Sequence, residues 1–508
     1  MFKFKEKFSI YLLWGLIFFV NLYKLLLINR GFLTFPDERR YLMSWSALKH
    51  LLQADFQGTV IPFFSAQARP GSVLLHTLPA SLQFFSAKIF GFELFESANS
   101  WGFFVYNLLI FGLTLFLLYK IFSFLFSQKL IVLTGLLWYS VLVNSFVYLR
   151  HTFPYNESLL VYLFLIFQMI STYKKHAPVS YKGFFIWGIM AFVAHLIYPA
   201  YYLSFLSVFI LMNLLFYNKD IYKWIKQNLV YISGVLVAFL FTEALSGWAN
   251  TSYIHNLLQL SDTVKQGSFE ESYSFIFKYF MEVEKLAGIL LIIGIIVFFL
   301  NLPRLVNNKD HKLLFFLWIS FFSTYFLHTT MGYFFHKMTI YARILHQFIP
   351  VIIVMNLYVL SLINENFRRK IISVLAIFIS MVFVKQIHSY LQIYYPRDVY
   401  WQYLKTYPKE HIVQLSEYKH AWSNLPEKVE GKYVDLSGKD SIYVVNGMFF
   451  YPYDTPAKLQ LKFPENSELL FNGLHFIQYK AYQYEGLNMQ ERSYLDSLQF
   501  HIKVLKKR

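Results

Sequence analysis

The chain is a succession of apolar runs, each near the length a helix needs to cross a bilayer. A hydrocarbon core about 30 Å thick takes roughly 20 helical residues. Eleven such segments fall near 8–29, 100–126, 129–149, 157–173, 183–196, 199–217, 228–248, 286–300, 313–331, 344–363 and 371–391. Away from water only helices and closed barrels satisfy every backbone donor and acceptor, and continuous runs of this length select helices. Only 15% of residues are charged, against about a quarter in a soluble domain. After Tyr395 the pattern changes to many charges, several Pro and Gly, and short alternating runs at Ser441–Val445, Lys458–Phe463 and His501–Leu505. The expected fold class is an all-α polytopic membrane body over 1–395, with about eleven transmembrane helices. A soluble mixed α/β domain over 396–508 follows it, with a short helix near 397–406.

Orientation follows from the cations in the short connections. Lys3, Lys5 and Lys7, then Lys120 and Lys129, Lys174, Lys175 and Lys182 fall in one set of loops. Lys219, Lys223, Lys226, Arg304, Lys309, Lys312, Arg368, Arg369 and Lys370 continue it. The short loops of the other set hold only Arg150, Lys337 and Arg343. The first set is expected to be cytoplasmic, which puts the N-terminus inside and the C-terminal domain outside. Two stretches need separate treatment. Pro199 breaks the run 183–217 into a hairpin with His195–Ala200 at its outer tip. Crossing at 72–90 would invert every later loop, so 72–90 is expected to lie at the outer interface, as is 41–54. The net charge of +17 then reads as topology and contact with anionic lipid, not as a nucleic-acid surface. Without Cys, disulfides, thiol catalysis and thiolate metal sites are excluded.

On the outer side the sequence gathers acids and cations. Asp37 and Glu38 stand side by side just beyond the first span, in Thr34-Phe-Pro-Asp-Glu-Arg-Arg-Tyr41. Successive positions cannot share a helix face, so one could meet a reacting group while the other caps the following helix; the pair could also be no more than a helix start. Arg69, in Ala68-Arg-Pro-Gly-Ser72, could pair with a phosphate or touch lipid headgroups. Glu157 opens a span, where a carboxylate is expensive, with Arg150 as a natural partner. Lys337 and Arg343 bring cations to a surface where they are scarce, ahead of Pro350 inside the next span. Carboxylates and cations on one face suit displacement of a phosphate from a sugar by a hydroxyl: the acid takes the proton and the cations draw off the growing negative charge. Neither a P-loop nor a credible dinucleotide fingerprint is present.

Pro36-Asp-Glu-Arg-Arg-Tyr41 after the first span, Arg69-Pro70, Phe90-Gly91 and the acid-led span at Glu157 resemble the GT-C glycosyltransferases. The closest pattern is that of the lipid A aminoarabinose transferases and the protein O-mannosyltransferases. The likeness is densest over residues 1–217 and weaker near 336–350, where Arg343-Ile-Leu-His-Gln-Phe-Ile-Pro350 only partly keeps the family's pattern. Glu157 and His195 stand where the family has Asp and Lys. The resemblance implies sugar transfer from a polyprenyl-phosphate donor to a lipid, protein or glycan hydroxyl, at the outer face of the cell (inner) membrane. It implies Asp37 as catalytic base with Glu38 in support, and Glu157 as the second acid. Arg69, His195, Lys337 and Arg343 would hold the donor phosphate, with Tyr41 and Arg150 nearby. His151, His328 and His336 are expected to be structural or interfacial rather than metal ligands. No metal is required, though some of these enzymes use a divalent cation such as Mg or Mn. An O-antigen polymerase or ligase would share the topology without needing Pro-Asp-Glu. A transporter or flippase of lipid-linked sugar would carry charges through the midplane and repeated halves, whereas the midplanes are nearly devoid of charge apart from Glu243, toward the outer end of its span. A scaffold would leave the outer charges unexplained.

Overall fold

The computed structural model describes residues 2–28, 38, 40–64, 69–91, 101–199, 202–264, 271, 273–307, 311–336, 341–395, 398–399, 402–403, 412–415, 442–445, 467–485, 487, 489–497 and 501–507. Asp37, Lys337, the run Lys458–Phe463, much of 397–406 and the side chain of Tyr41 lie outside them.

Each of the eleven apolar segments is helical. α1 (Phe2–Leu26) is followed by three helices before the next long one: α2 (Arg40–Leu52), α3 (Phe56–Phe64) and α4 (Pro70–Phe90). The series continues with α5 (Trp101–Leu125), α6 (Lys129–Ser140), α7 (Val143–Arg150), α8 (Tyr155–Lys174), α9 (Tyr181–Ile197), α10 (Tyr202–Leu215), α11 (Ile221–Trp248) and α12 (Tyr253–Val264). α13 (Phe275–Tyr279) runs through a π-turn at Phe280–Glu284 into α14 (Lys285–Leu300). α15 (Leu302–Asn307), α16 (Lys312–Phe335), α17 (Ala342–His346), α18 (Ile349–Ser361) and α19 (Glu365–His388) complete the body. Among the described residues six helices are long and apolar enough to cross a membrane, or seven if the bent pair α6–α7 counts as one. The chain is a helical, polytopic membrane protein.

Two helices turn small or polar residues inward and large apolar ones outward. α11 buries Tyr231, Gly234, Thr242 and Ser246 while exposing Leu229, Leu236, Val237, Leu240 and Phe241. Lipid tails are as apolar as leucine, so small residues that let backbones approach take the interfaces instead. α4 follows the same rule, burying Ser72, His76, Gln83 and Ser86 while Leu74, Leu78, Phe85, Ile89 and Phe90 face outward. It ends at Gly91, whose φ of 70° gives the left-handed cap that Phe90-Gly91 suggests.

Three expectations about the segments change. The run 129–149 is broken by 57° between α6 and α7, although no Pro or Gly stands at the break. The amides that the break frees are taken by a remote carboxylate: Val143 and Asn144 donate to Glu284 at 2.7 and 2.8 Å. The run 344–363 is likewise split into α17 and α18, and Pro350 sits in the first turn of α18, where it costs no hydrogen bond. The body is also less free of charge than its hydropathy suggests. Lys24 and Glu284 are fully buried, Lys24 donating to Ser145 at 2.8 Å. Glu243, by contrast, holds the start of α12 through Ser252 Oγ (2.8 Å) and the Ile254 amide (3.0 Å).

Beyond α19 the described strands form one mixed sheet, ordered β1 (Ile393–Tyr394), β4 (Ser467–His475), β5 (His501–Lys507), β3 (Ile442–Val445), β2 (Ile412–Leu415). β5 runs antiparallel to both neighbours. The alternating runs at 441–445 and 501–505 are β3 and β5. Phe476, Ala481, Tyr482 and Tyr484 belong to the same hydrophobic cluster as the membrane helices.

Candidate functional site

Glu38 has no solvent exposure. Its Oε1 accepts the Thr152 amide at 2.8 Å and lies 3.3 Å from His151 Nδ1. The carboxylate therefore ties the segment before α2 to the turn between α7 and α8. Desolvation holds the His151 imidazole below the usual histidine range, against the pull of Glu38. A neutral ring has one N–H; with Nδ1 donating to Glu38, Nε2 accepts from the Tyr482 hydroxyl, 2.9 Å away. Tyr395 extends the chain, its hydroxyl 2.6 Å from that of Tyr482. His151 is thus a direct contact of Glu38.

Glu157 is also buried, and its Oε1 lies 2.8 Å from His76 Nε2. His76 is on the buried face of α4, with Ser72 one turn earlier at 3.4 Å from its other nitrogen. Arg150 is not the partner of Glu157. Its guanidinium lies over the rings of Phe146, Tyr390 and Tyr395 at 5.3, 5.1 and 5.2 Å. A cation among aromatic faces is stabilised by their quadrupoles, most strongly where water is excluded.

The predicted phosphate cations divide. Pro70 starts α4 at its first turn, and Gly71 packs where a Cβ would stand 2.9 Å from the backbone of Leu196 and Ile197. That close approach seats Arg69 over the ring of Tyr198 at 4.7 Å. Tyr198 meets Tyr155 edge to face at 4.7 Å, and Arg343 lies over Tyr155 at 5.5 Å. Arg69 and Arg343, distant in sequence, therefore sit on the two members of one tyrosine pair. The row continues from Tyr155 through Phe153 (5.0 Å) to His151 (5.3 Å), which leads to Glu38. His195 is placed otherwise: its ring packs on Phe192, which clusters with Phe64, Ala249 and Tyr253.

Arg343 carries partners that no sequence pattern announces. Its Nε donates to Glu485 Oε2 at 3.1 Å, and its Nη2 donates to the Glu485 carbonyl. The other oxygen of Glu485 accepts the Tyr148 hydroxyl. Beside this region an apolar cavity of about 340 Å³ runs between α14, α16 and α18, lined among others by Phe299, Phe322, Tyr325, Phe348 and Met355. Among the described residues no three His, Cys, Asp or Glu side chains gather closely enough to hold a metal ion.

Two acids, two arginines and a row of aromatic rings thus meet at the ends of α4, α7, α8, α9 and α17, beside an apolar groove. No protein-family model, curated protein or solved structure matches the chain.

Proposed function

We propose that this chain is a GT-C-type glycosyltransferase of the cell membrane, moving a sugar from a polyprenyl-phosphate donor to a hydroxyl acceptor on the extracytoplasmic face. The observation that carries the reading is the placing of Arg69 and Arg343 on the paired rings of Tyr198 and Tyr155, next to buried Glu157 and one aromatic row from Glu38. In this reading the body has eleven spans, the N-terminus inside and the C-terminal domain outside. Asp37 takes the proton of the acceptor hydroxyl as its oxygen bonds the anomeric carbon and the bond from that carbon to the phosphate oxygen breaks. The two arginines neutralise the departing phosphate in a setting where little water competes. Lys337 would add a third cation to the donor phosphate. The groove between α14, α16 and α18 takes part of the prenyl tail. Glu157, held by His76, borders the acceptor.

Purification in native lipid, followed by mass spectrometry of the retained lipids, tests the donor. A polyprenyl monophosphate sugar is expected; a diphosphate-linked glycan would redirect the reading to a polymerase or ligase. Asp37→Asn is expected to abolish transfer with expression and melting temperature unchanged, and a fully active variant would remove the base. Arg343→Ala should lower donor affinity about tenfold or more, since losing a hydrogen bond to a charged group costs about 1.5–3 kcal/mol.

A further inference from the structure

The segment between β4 and the helix Met489–Ser497 enters the membrane body. The Tyr484 carbonyl accepts the amide of Ala342, the residue before Arg343, at 3.1 Å. The ring of Tyr484 packs on Phe275 and Tyr279, each at 5.5 Å, and under the Arg492 guanidinium at 4.1 Å. Arg492 pairs in turn with Glu271. So anchored, the segment presents two side chains to opposite ends of the aromatic row. Tyr482, fully buried, contacts His151 and through it Glu38. Glu485, 1% exposed, takes both the side chain of Tyr148 and two edges of the Arg343 guanidinium.

We infer that Glu485 and Tyr482 are positioning residues of the site, so that the outer domain helps to assemble the donor pocket. An arginine with several rotatable bonds presents a fork to phosphate only when something holds the fork. Glu485 does so from two directions, by carboxylate and by backbone carbonyl, and its charge balances the partly buried guanidinium. Tyr482 acts on the acid side: its O–H on Nε2 keeps the His151 proton on Nδ1, which is the tautomer that holds Glu38. Neither residue touches the reacting atoms. This inference rests on the proposed donor chemistry.

The test uses the full chain in lipid nanodiscs with a polyprenyl-phosphate sugar, comparing wild type, Glu485→Gln, Glu485→Asp, Tyr482→Phe and Tyr148→Phe. For Glu485→Gln the donor KM is expected to rise about tenfold or more, with kcat changed much less; Glu485→Asp restores part of the loss. For Tyr482→Phe the expected effect is on kcat, up to about 100-fold for a displacement of 1 Å, with the acid limb of the pH–rate profile shifted. Should Glu485→Gln fail to fold, Tyr148→Phe removes one contact of Glu485 at smaller cost and is read for the same rise in KM. Folded variants with wild-type KM, kcat and pH profile would overturn the inference while leaving the proposed function intact. A wild-type protein that neither binds nor uses the donor defeats the proposed function, and the inference with it.

Discussion

Burying a carboxylate without donors costs several kcal/mol, and each buried acid of the site finds its partner far along the chain. Glu38 reaches His151 and Thr152, Glu157 reaches His76, and Glu485 reaches Arg343. The sequence marks such residues as expensive, and so as candidates, but a hydrogen bond across 80 to 140 positions leaves no local pattern. That is why the sequence offers Arg150 as a partner for Glu157 and gives no sign that His151 meets Glu38. Buried neutral histidines also set a pH dependence. Desolvation holds His475 down to about 3 and keeps His151 below its ordinary value. The unfolded chain binds protons at these rings below about pH 6.5, whereas the folded chain does not. Stability is therefore full above that pH and falls as the medium is acidified. The melting temperature should drop between pH 7.5 and 5, and less steeply in His475→Gln; a flat wild-type curve would contradict the assignment.

At the scale of helices, the outcome depends on how closely backbones approach. Gly188 of α9 and Gly234 of α11 face each other, and a Cβ on either would collide with a backbone carbonyl of the other helix, Tyr231 for Gly188 and Phe185 for Gly234. Gly15 of α1 has nothing nearby. Gly188→Ala should lower stability by about 1–3 kcal/mol, the usual cost of overpacking, while Gly15→Ala should be neutral or slightly stabilising. Equal melting temperatures for the two variants would rule out the close crossing. Gly71→Ala meets the same obstacle at Leu196–Ile197 and should weaken donor binding as well, because Arg69 moves with the start of α4. The bend between α6 and α7 shows the opposite limit of local reading. Its cause, Glu284, is 140 residues away.

Over the whole molecule, the natural absence of Cys allows a direct test of topology. Single cysteines at the exposed positions Lys503 and Lys219 should separate cleanly. A membrane-impermeant maleimide added to intact cells is expected to label Lys503→Cys and leave Lys219→Cys until the cells are opened. The reverse pattern would turn the protein over and remove the outer-face site. Hydropathy and the distribution of Lys and Arg were sufficient to foresee a helical membrane protein and a strand-forming end. Those features are legible because water, hydrocarbon and headgroups act on each segment independently of its neighbours. Which charges meet depended on the tertiary structure, including the seating of Arg69 and Arg343 on one tyrosine pair and the entry of Tyr482 and Glu485 into the body. A buried hydrogen bond is set by where two distant backbones come to rest, and only the packed chain decides that.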